Sequence, residues 1–172
     1  MYTDTFESLV SAMWCCEANM PNKNDIVSDE IIKNKIDNMQ VLNQKDKDGK
    51  NLLMFATIYQ RPVIVEYLLK KELNANEQDK NGFTALHFAV QANRYDIVKI
   101  LLEYGSDANL RNKFGNIPLM LSNNITPIEI FKILIDNGSN IYCPNNFGVS
   151  VVDIFKNQCE SVQNQSEDTV DG

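Results

Sequence analysis

Asp79-Lys80-Asn81-Gly82-Phe83-Thr84-Ala85-Leu86-His87-Phe88-Ala89 opens the stretch that decides the fold; Ile97-Val98, Leu101-Leu102 and Gly105-Ser106-Asp107-Ala108-Asn109 close it. The opening Asp-x-x-Gly is turn chemistry: a short acidic side chain bonds its own backbone, and glycine accepts positive φ. Thr84 can cap the first free N–H groups of a helix, and Leu86, Phe88 and Ala89 give that helix an apolar face. Asn93 tolerates the left-handed conformation that ends a helix. From Asp96 to Tyr104 the residues Ile97, Val98, Leu101 and Leu102 recur at helical spacing, and Gly105 stops the run. The stretch predicts a turn followed by two antiparallel helices.

The unit recurs. Gly49, Gly82, Gly115 and Gly148 stand 33 residues apart. Leu53, Leu86 and Leu119 keep the same step, with Val152 in register. So do Val65, Val98 and Phe131; the pairs Leu68-Leu69, Leu101-Leu102 and Leu134-Ile135; and Asn43, Asn76 and Asn109. Residues 46–78 share 13 of 33 positions with 79–111, and 79–111 share 9 with 112–144. Self-similarity at a fixed period of this length is the mark of a solenoid, in which each unit buries its apolar face on its neighbours.

These residues resemble the ankyrin-repeat family. The family pattern has a Thr-Pro-Leu-His turn, an Ile-Val pair, a Leu-Leu pair and a Gly-Ala-Asp-x-Asn end. This chain has Ala85 where that pattern has Pro. The likeness covers about residues 43–156. It implies an all-α ankyrin-repeat solenoid of paired antiparallel helices with β-turn fingers, a degenerate helical N-terminal cap and a partial C-terminal repeat. The units are 1–45 (cap), 46–78, 79–111, 112–144, 145–157 (partial repeat) and 158–172 (acidic disordered tail).

The cap reads as a helix over 4–19, with Phe6, Leu9, Val10, Met13 and Trp14 apolar, and another over 28–39, with Ile31, Ile32 and Ile36. Asp29 and Glu30 suit its positive start. In the third repeat Thr126-Pro127 is expected to start the second helix, Thr as N-cap and Pro in the first turn. In the first repeat Glu72 stands where later repeats have the terminating glycine; a left-handed conformation there costs about 1 kcal/mol.

The chain has 172 residues and a formal net charge of −7. That balance would repel a duplex nucleic acid, whose binding needs clustered Lys and Arg. Cys15, Cys16, Cys143 and Cys159 show no C-x-x-C spacing and only one histidine is present, so no metal site is expected and the thiols read as free in a reducing compartment. The N-terminus lacks the basic and apolar regions of a signal peptide, and no 18-residue apolar run occurs. The expectation is a cytoplasmic protein with no cofactor, no membrane contact and no nucleic acid, monomeric before it binds one protein partner.

No phosphate loop, dinucleotide fingerprint or nucleophile motif appears. An enzyme would need Cys15 or Cys16 as nucleophile beside His87, with no orienting carboxylate evident. Asp46, Asp48 and Asp79 could ligate a metal, but read as turn formers. The resemblance gives His87 a structural role, tying adjacent turns together. It also places binding on the concave side, at the turn tips and the exposed side of the first helices. Register puts Lys47, Asp48, Lys50, Ile58 and Tyr59 there in the first repeat. Lys80, Asn81, Phe83, Gln91 and Ala92 follow in the second, Lys113, Phe114, Asn116, Asn124 and Ile125 in the third, then Asn146, Phe147 and Val149. Phe83, Phe114 and Phe147 are costly to expose, which suggests anchors, unless they tuck between repeats. The lysine row Lys47, Lys80 and Lys113 suits an acidic partner patch, or is plain surface.

The function expected is non-catalytic gripping of a partner protein, an effector or toxin, in the manner of a bacterial immunity-type inhibitor. The alternatives are a viral or pathogen ankyrin protein engaging host signalling, a scaffold or adaptor, and an oligomer stacked through its open ends.

Overall fold

The computed structural model describes residues 5–14, 28–39, 41–123 and 125–156. Among the described residues seven α-helices are bounded: α1 Phe6–Trp14, α2 Asp29–Asp37, α3 Leu52–Ile58, α4 Pro62–Lys70, α5 Ala85–Gln91, α6 Tyr95–Glu103 and α7 Ile128–Asp136. A 3-10 turn spans Pro118–Leu121, and residues 151–156 form a further helical stretch. Among the described residues no strand occurs, only an isolated antiparallel bridge between Lys45 and Asn51.

Helices stack in two layers. In one, α1, α3, α5 and the 3-10 turn pack in order; in the other, α2, α4, α6 and α7 do so, and α1 packs on α2, α3 on α4 and α5 on α6. The seam between the layers is the core. The residues that repeat in sequence fill it: Leu53, Leu86 and Leu119; Ile64 and Ile97; Leu68 and Leu101 are at most 1% exposed. Removing each such side chain from water contributes about 2 kcal/mol. Phe6, Leu9 and Met13 of α1 and Ile32 and Ile36 of α2 join the same core, so the cap is part of the stack.

Local chemistry sets the helix ends. Ser28 caps α2, Asn51 caps α3 and Thr84 caps α5, each accepting from the N–H three residues on. Glu72 takes φ +64° and Asn93 takes +56°, as expected of residues closing a helix, and Gln60 does the same at +55°. The cap helices hold their apolar patterns, α1 over Phe6–Trp14 and α2 from Asp29 after the Ser28 cap; residues 4 and 15–19 of the expected first helix lie outside the described residues. The inter-helix loop around Pro21 and the acidic tail lie outside the described residues.

The third repeat departs from expectation twice. Its first helix is a 3-10 turn of four residues. Ile117 stands where Thr84 caps its neighbour and offers no capping oxygen, and Ser122 Oγ donates to the Leu119 carbonyl at 2.7 Å, competing for the helical acceptor. Second, Thr126 does not cap α7. Pro127 holds that position with ψ 139°, outside helical geometry, and the helix begins at Ile128. Thr126 Oγ1 is used elsewhere: it accepts from Asn123 N at 2.9 Å and donates across the repeat boundary to Asn93 Oδ1.

Candidate functional site

Four fingers project from the stack, each built by one side chain. The Oδ1 of Asp46 accepts the backbone N–H groups of Asp48 and Lys50 at 2.9 and 2.7 Å. Asp79 does this for Asn81 and Phe83, Asn112 for Phe114 and Asn116, and Asn145 for Phe147 and Val149. Asp46 and Asp79 are therefore turn formers, as their spacing suggested. Among the described residues no three His, Cys, Asp or Glu side chains gather as a metal-binding group.

Backbone bonds tie the fingers into a row. Lys80 N donates to Asp48 O at 2.8 Å, Lys113 N to Asn81 O at 2.9 Å, and Asn146 N to Phe114 O at 3.0 Å. The approach is close enough to demand glycine: a Cβ on Gly82 would lie 2.9 Å from the Asn112 Cα, and Gly82 has φ +78°. Below the fingers the aligned asparagines form a second ladder. Asn76 donates to Gly105 O and accepts from Asp107 N; Asn109 donates to Gly138 O and accepts from Asn140 N. The sequence showed these asparagines in register but not what they bond.

His87 is fully buried behind the second finger. Thr84 N donates to its Nδ1 at 3.1 Å, so Nδ1 is an acceptor and Nε2 carries the proton that bonds Asn116 O at 3.0 Å. Burial holds the imidazole below its ordinary pKa, with the Asn116 bond and the Asp79 charge opposing it more weakly. A neutral, fully bonded ring that clamps one finger to the next has no free nitrogen to offer a substrate. Cys15 and Cys16 lie outside the described residues.

The expected contact residues divide into groups. Lys47, Asp48, Lys80, Asn81, Gln91, Lys113 and Asn146 are exposed, as is Phe114 at 49%, Ile125 at 80% and Phe147 at 73%. Lys50, Ile58, Tyr59, Ala92 and Val149 are half-buried. Asn116 is drawn into the frame: its Oδ1 accepts from Asn145 Nδ2 and its carbonyl from His87. Phe83 is also half-buried, stacked 5.6 Å from Phe88 and tilted 5.5 Å from His87. The aromatic row therefore splits, with Phe83 tucked against its own repeat and Phe114 and Phe147 free. Asn124 lies outside the described residues.

Charge along the tips is uneven. Lys50 pairs with Asp48 at 3.6 Å, and Lys45 pairs with Glu77 lower down. Among the described residues Lys47, Lys80 and Lys113 make no ion pair, so three cations stand one finger apart on an acidic chain. At the N-terminal end the row runs into a groove of about 580 Å³ between α1, the first finger and α3, walled by Phe6, Val10, Phe55 and Tyr59 with Lys47, Glu7 and Asp46 as its charged residues. Sequence reasoning counted Phe6 and Val10 only as a helix face. Phe6 packs edge-on against Phe55 at 5.9 Å, and Phe55 stacks on Tyr59 at 6.0 Å.

The geometry is that of a recognition surface: a rigid row of tips with aromatic and cationic side chains, a flanking groove, and no assembled catalytic group among the described residues. Comparison with known proteins agrees on the architecture. A family model for ankyrin repeats (3 copies) matches residues 12–112 and 75–145. No curated protein matches the chain.

Proposed function

We propose, because the chain belongs to the ankyrin-repeat family, a protein–protein interaction module, that it grips one partner protein through its finger row and adjoining groove and performs no catalysis. One observation supports this most: Phe114 and Phe147 stand 49% and 73% exposed on fingers whose hydrogen bonds do not involve their rings. Nothing in the packing of the stack needs those aromatics, and large exposed rings on a rigid surface are the usual anchors of an interface. The lysines beside them favour a partner with an acidic patch, which would speed encounter and fix register. A face of three to four repeats can bury about 800 Å² on its own side, the size of a specific complex.

The consequence of binding is inhibition in this reading, with the chain acting as an immunity-type protein that covers the working surface of a toxic effector. Support comes from the chain's acidity and from a finger row that gathers no metal-binding group among the described residues. The test is affinity capture with the intact chain from its native host, followed by lysine cross-linking and mass spectrometry. The expected result is one stoichiometric partner cross-linked through Lys47, Lys80 or Lys113, with its activity reduced by the chain. Capture of a partner whose activity is unchanged would defeat the inhibitory reading. Cross-links confined to the second-helix layer would defeat the finger-face reading.

A further inference from the structure

The end of the stack carries an apolar slot. Inside the stack each second helix buries the same two positions against the next repeat: Val65 and Leu69 in α4, Val98 and Leu102 in α6. The matching positions in α7 are Phe131, half-buried, and Ile135, 47% exposed. With Ile128, Val152 and Phe155 they wall a groove of about 620 Å³, in which Lys156 is the one charged lining residue among those described. Phe155 meets Phe131 edge-on at 5.0 Å, so the floor is already formed.

In the interior this place is filled by the second helix of the following repeat. Residues 157–172 lie outside the described residues, and only their sequence can be laid against the 33-residue step. It sets Gln163, Asn164, Glu167 and Asp168 where α6 has Ile97, Val98, Leu101 and Leu102. Two amides and two carboxylates against Phe131 and Ile135 would be buried without partners. A second copy of the chain is opposed by a net charge of −7 on each molecule.

We propose that the slot takes an amphipathic α-helix from a partner protein, which completes the fourth repeat from outside. The repeats themselves specify its chemistry. The helices that fill equivalent positions, α6 and α7, have nine residues each, buried apolar residues four apart, and an acid in the first turn, Asp96 or Glu129. Lys156 sits at the end of the helical stretch 151–156, where a second helix would begin. An acid in the first turn of the incoming helix meets both Lys156 and the helix's own positive end.

The probe for this is a side-chain-stapled, fluorescein-labelled peptide of residues 94–104, the chain's own filler of the equivalent slot, titrated into the full-length protein. Saturable one-to-one binding is expected. Ile135→Asp and Lys156→Glu, both at exposed positions, should weaken it at least tenfold while circular dichroism stays unchanged, and Phe114→Ala should leave it alone. Giving the chain its own filler, by Gln163→Ile, Asn164→Val, Glu167→Leu and Asp168→Leu together, should weaken peptide binding at least tenfold. Absence of saturable binding would overturn the proposal, and is also the result if the native tail already occupies the slot. A sedimentation profile showing a dimer that Ile135→Asp dissolves would overturn it in favour of a second copy.

Discussion

The second and third repeats have the same length and the same finger, yet different scaffolds. In the second, Thr84 and His87 cap α5 reciprocally, seven residues are α-helical, and both flanking repeats cover the helix pair. In the third, Ile117, Pro118 and Met120 replace Thr84, Ala85 and His87, and the helix shrinks to a four-residue 3-10 turn. The finger is indifferent to this loss. Asn112 accepts the same two N–H groups that Asp79 does, and the row passes from Asn81 to Lys113 and from Phe114 to Asn146 without a break. The comparison teaches that the tip is a local hydrogen-bonded unit tied to its neighbouring tips, whereas the helix beneath depends on caps and coverage. A surface for recognition can be kept where the supporting helix has weakened.

Coverage gives the largest contrast. Leu102 and Ile135 occupy matching positions, at 8% and 47% exposure. Leu102→Ala should cost about 3 kcal/mol in urea unfolding, and Ile135→Ala within about 0.5 kcal/mol. Equal losses would mean that the third repeat is covered as fully as the second.

Contact between fingers comes next. Gly82 and Gly148 share φ +78°, but a Cβ on Gly82 meets the next finger's backbone at 2.9 Å while one on Gly148 meets nothing within 4 Å. Gly148→Ala should cost about 1 kcal/mol of left-handed strain, and Gly82→Ala about 2 kcal/mol more, because the row must open. Matching costs would show that the fingers do not brace one another.

Capping is smaller. Thr84→Ala removes an acceptor from the α5 start and should cost about 1 kcal/mol. Ile117→Thr in the third repeat should recover part of a cap and lengthen protection of the amides after Pro118 in hydrogen exchange.

The last contrast is titration. His87 is held below its ordinary pKa of 6.5 by burial, so the unfolded chain takes up the proton first as pH falls. Stability from this group is full above about 6.5 and declines below it, by at most about 1.4 kcal/mol per pH unit. Its position in the third repeat is Met120, which cannot titrate. His87→Gln should flatten the slope of the urea midpoint between pH 7 and pH 5; an unchanged slope would assign it to other groups.

How much of this could be read from residues alone follows from range. The period, the finger turns, the Thr84 cap, and the left-handed Asn93 and Glu72 are decided within a few residues, and the chain spells them out. The 3-10 turn was hidden because Leu119 and Gly115 keep the register while Ile117 silently drops the cap. The start of α7 was misplaced because Thr126 is claimed by Asn93, a partner 33 residues away. Phe83 and Phe114 look equivalent in sequence; they part because Phe83 has His87 and Phe88 to rest on, where the third repeat has Met120 and Leu121. The groove at Phe6 and the slot at Phe131 needed packing between elements to appear.

The most direct test of the account is a double substitution, Phe114→Ala with Phe147→Ala, measured for capture of the partner and for urea unfolding. The account predicts capture weakened at least a hundredfold with the unfolding midpoint unchanged, since neither ring supports the stack. Wild-type affinity in the double variant would contradict it and move recognition off the finger row.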